Sequence, residues 1–340
     1  DMVPLTGENR VFAHYGLAVL RKSPRKGLIR LLKKLKVDQR YLTEEDIGFT
    51  IGPRINAASR MGVPMDAFRL LATDDEVEAE KLADHLDHIN NERKGTVAAL
   101  VKEVKKHVHE RYGEKPNRVI VIGNPDWKPS LLGLAANTCA EEYAVPVFLW
   151  GRDGDNIIKG SCRAAGTVHL VDLMQEIPEG VFLQFGGHAE SGGFAVHGSA
   201  IHTLEGKLNE AFEKIKGKKK ENIFHVDLNL LPDDVNYDTY RQIEKVGPFG
   251  TGNDKPLFMF KDIMLTGVKQ FGKEKNHLEI IFKKTNGSPI SAIGFFITQA
   301  DFSKKIEQGL TISLVATMEK SMFRGRPELR LRIVDIKAKI

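Results

Sequence analysis

"PNRVIVIGNPDWKPSLLGLAANTCAEEYAVPVFLW" (residues 116–150) carries two short β-branched runs, at 118–123 and 145–150, on either side of a stretch with helical apolar spacing. Runs of that length and composition read as buried strands, and a strand–helix–strand unit defines a small α/β domain. The pattern continues outward. "IIKGSCRAAG" (157–166) reads as a third strand with its loop and "HLVDLMQEI" (169–177) as a second helix. "GGFAV" (192–196) follows as a strand, and "IHTLEGKLNEAFEKIK" (201–216) as a closing amphipathic helix. The domain therefore spans 114–216.

Upstream lies the longest periodic segment of the chain. Leu82, Leu86, Ile89, Val97, Leu100, Val104 and Val108 recur at steps of mostly three or four, with a polar gap between Ile89 and Val97. Thr73 with Glu76 predicts its cap and Gly113 its end. A helix from Thr73 to about Arg111, about 39 residues or roughly 58 Å long, has the reach of a connector between two lobes, and the connector segment is 73–113. Ahead of it, 1–72 is helical in character. Residues 10–36 break at Ser23-Pro24, and Thr43 with Asp46 resembles a capping box. A loop carrying Arg54, Asn56 and Arg60 follows.

Downstream, "GKKKEN" (217–222) is a hydrophilic linker and "GPFGTGNDKP" (247–256) punctuates the chain with glycine and proline. Five runs of strand type then follow, which predicts a five-stranded OB-fold barrel within 222–340. The expected architecture is α/β plus β: a long connector helix, a small α/β domain and a C-terminal barrel. From residue 255 onward 16 Lys+Arg face 8 Asp+Glu, a balance of +8 that points to an anionic partner. With 41% hydrophobic and 28% charged residues the chain is of soluble globular type, and no apolar run has membrane-spanning length. Two cysteines exclude a disulfide scaffold and suggest a reducing cytoplasm. The opening "DMVPLTGENR" reads as the interior of a longer chain.

Three segments hold residues suited to phosphate chemistry. In "GPRINAASRMG" (52–62), Arg54 and Arg60 offer guanidinium forks that stay charged at physiological pH, with Asn56 between them. In "KGSCRAAG" (159–166), a strand would place Ser161 and Arg163 on one side and Cys162 in the core. In "QFGGHAESGGFAV" (184–196), Gly186, Gly187 and His188 read either as an anion-binding nest or as a structural turn. No nucleotide-binding glycine loop or nucleophile elbow is present. "DHLDH" (84–88) reads as a solvated helix face rather than a metal pair.

The ordered set "DMVPLTGENR", "GPRINAASRMG", "GSCRAAG", "FGGHAESGGF" and "VGPFGTGNDKPLF" resembles RecJ-type single-stranded-DNA-specific exonucleases of the DHH phosphoesterase superfamily, over essentially the whole chain. The resemblance implies the C-terminal part of a 5′-to-3′ exonuclease acting in DNA repair and recombination. A two-metal mechanism with Mn2+ or Mg2+ would operate in the full protein. Single-stranded DNA is the implied partner, with a single-strand-binding protein or a helicase as further ones, and the chain is expected to be a monomer away from any membrane. Carried over by position, Asp1 takes the place of the last metal-binding aspartate. Arg54, Asn56 and Arg60 match the substrate-facing motif, Ser161 and Arg163 the phosphate-contacting pair. Gly186, Gly187 and His188 match the signature beside the scissile phosphate. No D-H-H triplet occurs, so the chain alone is expected to be catalytically incomplete. Lys128 and Ser130 depart from the family's histidine and glycine, and Glu190-Ser191 from its small apolar residues. Two other readings stay open: a non-catalytic nucleic-acid-binding protein on a degenerate nuclease fold, and a small oligonucleotide or cyclic-dinucleotide phosphoesterase.

Overall fold

The structure is a computed structural model that describes residues 3–113, 116, 118–152, 154, 157–166, 168–215, 225–272, 275–298, 302, 305–321 and 327–338. Asp1 and the expected linker at 217–222 lie outside the described residues. The chain divides into two compact units, one joining Asp1–Lys22, Leu42–Glu44 and Asn222–Ile340, the other Ser23–Tyr41 and Glu45–Glu221.

The α/β unit begins with α2 (Lys26–Leu35), which buries Leu28, Leu31 and Leu32 along one face. Gly27 lies so close to the next helices that a Cβ there would stand 1.6 Å from the Leu70 carbonyl oxygen. A π-helical turn, Asp46–Ile51, runs directly into α3 (Gly52–Met61). This corrects the expectation of a loop around Arg54, Asn56 and Arg60. Pro53 sits in the first turn, where its missing N–H costs nothing, and Gly62 at φ 103° ends the helix. The short α4 (Pro64–Ala72) then leads to α5 (Glu76–Tyr112), 37 residues and about 55 Å long. Its cap is Asp75, which accepts from the amides of Val77 and Glu78, while Thr73 instead pairs with Glu78. Both ends of α5 pack within this unit: α2, α3 and α4 lie along its first half, α6 and β1 against its second.

The five-stranded sheet runs β1 (Ile120–Gly123), β2 (Val147–Arg152), β3 (Ile157–Arg163), β5 (Ser191–His197), β4 (Gln184–Gly187). Only the β1–β2 pair is parallel; the other pairs are antiparallel. Helix α6 (Pro129–Tyr143) covers one face, burying Ile120, Ile122, Val147 and Leu149. Helices α7 (Leu170–Gln175) and α8 (Ile201–Ile215) cover the other, over Val121, Phe148, Cys162 and Phe194. Burial of Phe148 or Leu149, both fully enclosed, stabilises the fold by about 2–3 kcal/mol each.

The second unit contains α1 (Gly7–Leu20), α9 (Tyr237–Val246) and a sheet of seven strands rather than the five expected. Its order is β6 (Leu228–Asn229), β7 (Phe258–Met264), β11 (Thr311–Ser321), β12 (Glu328–Ala338), β10 (Pro289–Phe295), β9 (His277–Lys283), β8 (Gly267–Phe271). The run at 257–272 is two strands because Leu265 exchanges backbone bonds with Leu310 and Gly309 and the chain turns over between them. β6 and β8 are the two edges, so the pairing is open rather than a closed barrel. Phe260, Leu278, Ile280, Phe282, Leu314 and Leu331 fill its core. The segment ahead of α1 clasps the glycine-rich turn: Leu5 donates to the Thr251 carbonyl at 2.6 Å. Among the described residues no helix is long and apolar enough to cross a membrane.

Candidate nucleic-acid interface

Four arginines converge in the α/β unit. Arg54 of α3 donates through Nε to Asp87 Oδ1 at 3.1 Å and through Nη1 to the Thr50 carbonyl at 2.9 Å. Its side chain and that of Asp87 are 14% and 18% exposed, so this ion pair is poorly screened. Arg60, six residues on, donates to the Ser130 carbonyl at 2.7 Å, and the Ser130 hydroxyl returns a bond to the Arg60 carbonyl at 2.9 Å. That exchange ties α3 to the start of α6. Ser130, where the resemblance leads one to expect glycine, therefore belongs to the cluster.

Arg163, at the end of β3, is half-buried against α6. A Cβ on Gly133 would stand 2.8 Å from its Nη2, so glycine at that point of α6 makes room for the guanidinium. Nη1 of Arg163 donates to the Cys162 carbonyl at 2.7 Å. Burial chiefly, with the Arg60 charge adding to it, holds this guanidinium below the usual arginine range. Arg93 on α5 is lowered likewise, by burial first and then by Arg60 and Arg54. Arg60 thus acts on both Arg93 and Arg163, Arg54 acts on Arg93, and Asp87 pairs with Arg54. Asn56 lies on the exposed side of α3, one turn before Arg60.

The glycines sort by strand alternation. Cross-strand pairing aligns Ser161 with Gly193 and Gly193 with Gly186, so these three share the face of the sheet that α6 covers further along. A Cβ at Gly186 would meet nothing within 4 Å, and one at Gly193 only the Gly160 carbonyl at 3.7 Å. The result is a bare strip of backbone beside Ser161. Gly187 and Gly192 face the other way. A Cβ on Gly192 would come within 2.9 Å of Cys162 Sγ; one on Gly187, at φ 152°, within 2.3 Å of the Ser191 carbonyl. Their smallness serves packing, and it is Gly193 that shares the open strip with Gly186. His188 stands exposed at the hairpin tip, its amide donating to the Ser191 carbonyl at 2.7 Å.

Sequence reasoning missed Asp87, Asn90, Arg93 and Ser130. The signal was present on α5: Asn90 and Arg93 occupy stripe positions between Leu86 and Val97, where apolar residues belong. The "DHLDH" segment is no metal pair. Lys34 takes Asp84, Asp66 takes His85, Arg54 takes Asp87 and Glu92 takes His88. Among the described residues no group of three or more His, Cys, Asp or Glu is placed to hold a metal ion.

The other unit offers rings instead. Phe271, His277 and Phe295 lie opposite one another across β8, β9 and β10, on the face away from the core. Ring centroids are 5.1 Å apart for Phe271–His277 and 5.2 Å for His277–Phe295. Arg332 of β12 sits 4.0 Å above the Phe295 ring. Phe296, 78% exposed, has φ 56°, rare for a bulky residue; its amide donates to His277 Nδ1 at 3.1 Å. Exposed rings beside cations are the surface on which unpaired bases stack.

Residues 116–221 match the model of the DHHA1 domain and residues 226–335 that of the RecJ OB domain. The two sheets therefore define a chain that pairs a DHHA1 domain with an OB domain. It is similar over 98% of its length to the single-stranded-DNA-specific exonucleases RecJ of Bacillus subtilis (29% identical, 42% of that protein covered) and Haemophilus influenzae (28%, 59% covered). A crystal structure of RecJ from Thermus thermophilus in complex with Mg2+ superposes with a TM-score of 0.77 at 24% identity, covering 99% of this chain and 50% of that one. An exonuclease RecJ bound to manganese matches 64% of the chain at TM-score 0.51 and 28% identity. The chain spans between about two-fifths and three-fifths of the length of these curated relatives.

Proposed function

We propose that this chain is the strand-holding part of a RecJ-type single-stranded-DNA exonuclease. One observation carries the reading: arginines from α3, α5 and β3 lie near one another, with Arg163 on the sheet face of the bare strip at Ser161 and Asp87 paired to Arg54. Such an excess of partly buried positive charge is relieved by an anion, and guanidinium forks match phosphate oxygens two at a time. Arg54, Arg60, Arg163 and Ser161 are the phosphate ligands in this reading, with Asn56 at the outer rim. Gly186 lets the strand approach the backbone, Gly187 shapes the hairpin, and His188 donates to a phosphate oxygen near the reacting bond. The rings of the OB unit stack bases.

The segments 1–72, 73–113, 114–216 and 222–340 serve respectively as the end of the catalytic domain, connector, phosphate-holding domain and base-holding domain. The RecJ relatives solved with Mg2+ and Mn2+ suggest those ions for the whole enzyme, with Asp1 as a ligand. The reaction is 5′-to-3′ removal of nucleotides in DNA repair and recombination, alongside a single-strand-binding protein or helicase. Two free buried thiols suit a monomer in a reducing cytoplasm.

The test is binding of the full chain to oligothymidylates of two to about twenty residues. Affinity is expected to rise with length and to fall linearly on a log–log plot against salt, by about 0.7 per phosphate held. No cleavage is expected with Mn2+. Equal affinity for dinucleotide and long strand points to a small-substrate phosphoesterase; cleavage refutes the division of labour.

A further inference from the structure

α5 places two unexplained polar groups against the arginine cluster. Asn90 is fully buried, and both its Oδ1 and Nδ2 lack a hydrogen-bond partner; so does Nε of Arg93, one turn further on. A buried polar group without a partner forfeits the hydrogen bonds it made to water. They follow Asp87, the partner of Arg54, on the same side of the helix. An interior that tolerates three orphaned polar atoms beside like charges is organised for something other than stability.

We propose that Arg93 is a further phosphate ligand, with Asn90 as its positioning residue. In the occupied site the Arg93 guanidinium turns toward a backbone phosphate that Arg54 and Arg60 also hold, and its Nε donates to Asn90 Oδ1. Arg93 is half-buried, so its outer nitrogens reach the site while Nε stays inside. The bound phosphate supplies the negative charge that the cluster lacks, and the Nε–Oδ1 bond gives two of the three orphaned atoms their partners. This role rests on the reading of the cluster as a phosphate site.

The experiment titrates the full chain with a fluorescent oligothymidylate of about twenty residues, from 50 to 200 mM salt. Arg93→Gln keeps the length and loses the charge. It is expected to weaken binding on the order of tenfold and to flatten the salt slope by about 0.7, the share of one phosphate contact. Arg93→Lys keeps the charge without the fork; the slope stays and part of the affinity is lost. Asn90→Leu removes the unpaired amide, so the melting temperature holds or rises while affinity drops several-fold. A purely structural amide gives the reverse: lower melting temperature and unchanged affinity. Wild-type affinity and slope in Arg93→Gln overturn the proposal, provided Arg163→Ala weakens binding. If Arg163→Ala also binds like wild type, the phosphate-site reading itself falls.

Discussion

The α/β unit and the OB unit differ in the kind of surface they offer. In the first, cations are gathered from three elements into partly buried surroundings, where Asp87 sits among Arg54, Arg60, Arg93 and Arg163. In the second, basic residues are spread over the sheet, and the concentrated feature is a row of rings, Phe271, His277 and Phe295. In the proposed reading the first arrangement binds by charge and is sensitive to salt, while the second binds by stacking, which tolerates any base. The same division governs what holds each unit together. Charge is structural in the first, where Arg54 and Asp87 join α3 to α5; the core of the OB sheet is apolar, with the Arg330–Glu319 pair at its side.

The sharpest way to break this contrast is Arg54→Ala. It strands Asp87 with most of its surface buried, and removing one partner of such a pair costs about 3 kcal/mol, the low end for buried ion pairs. Differential scanning calorimetry should show the α/β transition falling while the OB transition stays. Coincident shifts of both would mean that the units melt as one.

The glycine hairpin separates binding from stability within one unit. Gly192→Val pushes a side chain against Cys162 Sγ and is expected to cost about 1–3 kcal/mol with little direct effect on the open face. Gly186→Val meets open space, so the melting temperature should hold while strand binding weakens several-fold. The opposite pairing would mean that the strip is not the approach surface.

Phe296→Ala probes the OB unit. Loss of one stacked base costs about 1–3 kcal/mol in affinity, with no change in the salt slope. A flatter slope would show that this face also works by charge.

Alkaline pH tests the α/β unit without a substitution. Burial pushes the thiol of Cys162 up to about 12 and that of Cys139 up to about 11. Between pH 9 and 11 the unfolded chain releases both protons and the folded chain keeps them, so stability falls as pH rises. The slope is at most about 1.4 kcal/mol per pH unit for each thiol. Both cysteines belong to the α/β unit, so its transition alone should move.

Much of this was legible in the residues. β-branched runs and the period of α5 mark the elements, because burial of a strand or helix face leaves a one-dimensional trace. Arg54, Arg60, Ser161 and Arg163 were visible because short polar motifs interrupt otherwise regular elements. Asn90 and Arg93 were visible only as a gap in a stripe, since nothing local says what faces them. Ser130 reads in the sequence only as a departure from the family's glycine, since its partner, Arg60, lies seventy residues earlier. The glycine sorting needed strand register, which no single strand specifies. The break of the run at 257–272 into two strands depends on Leu310, far along the chain.

The central claim is that the guanidinium cluster holds backbone phosphates. The most direct measurement is the salt dependence of oligothymidylate binding by the full chain and by Arg163→Ala. A loss on the order of tenfold at low salt, with a slope flatter by about 0.7, is the expected result. Superimposable lines for the two proteins would contradict it.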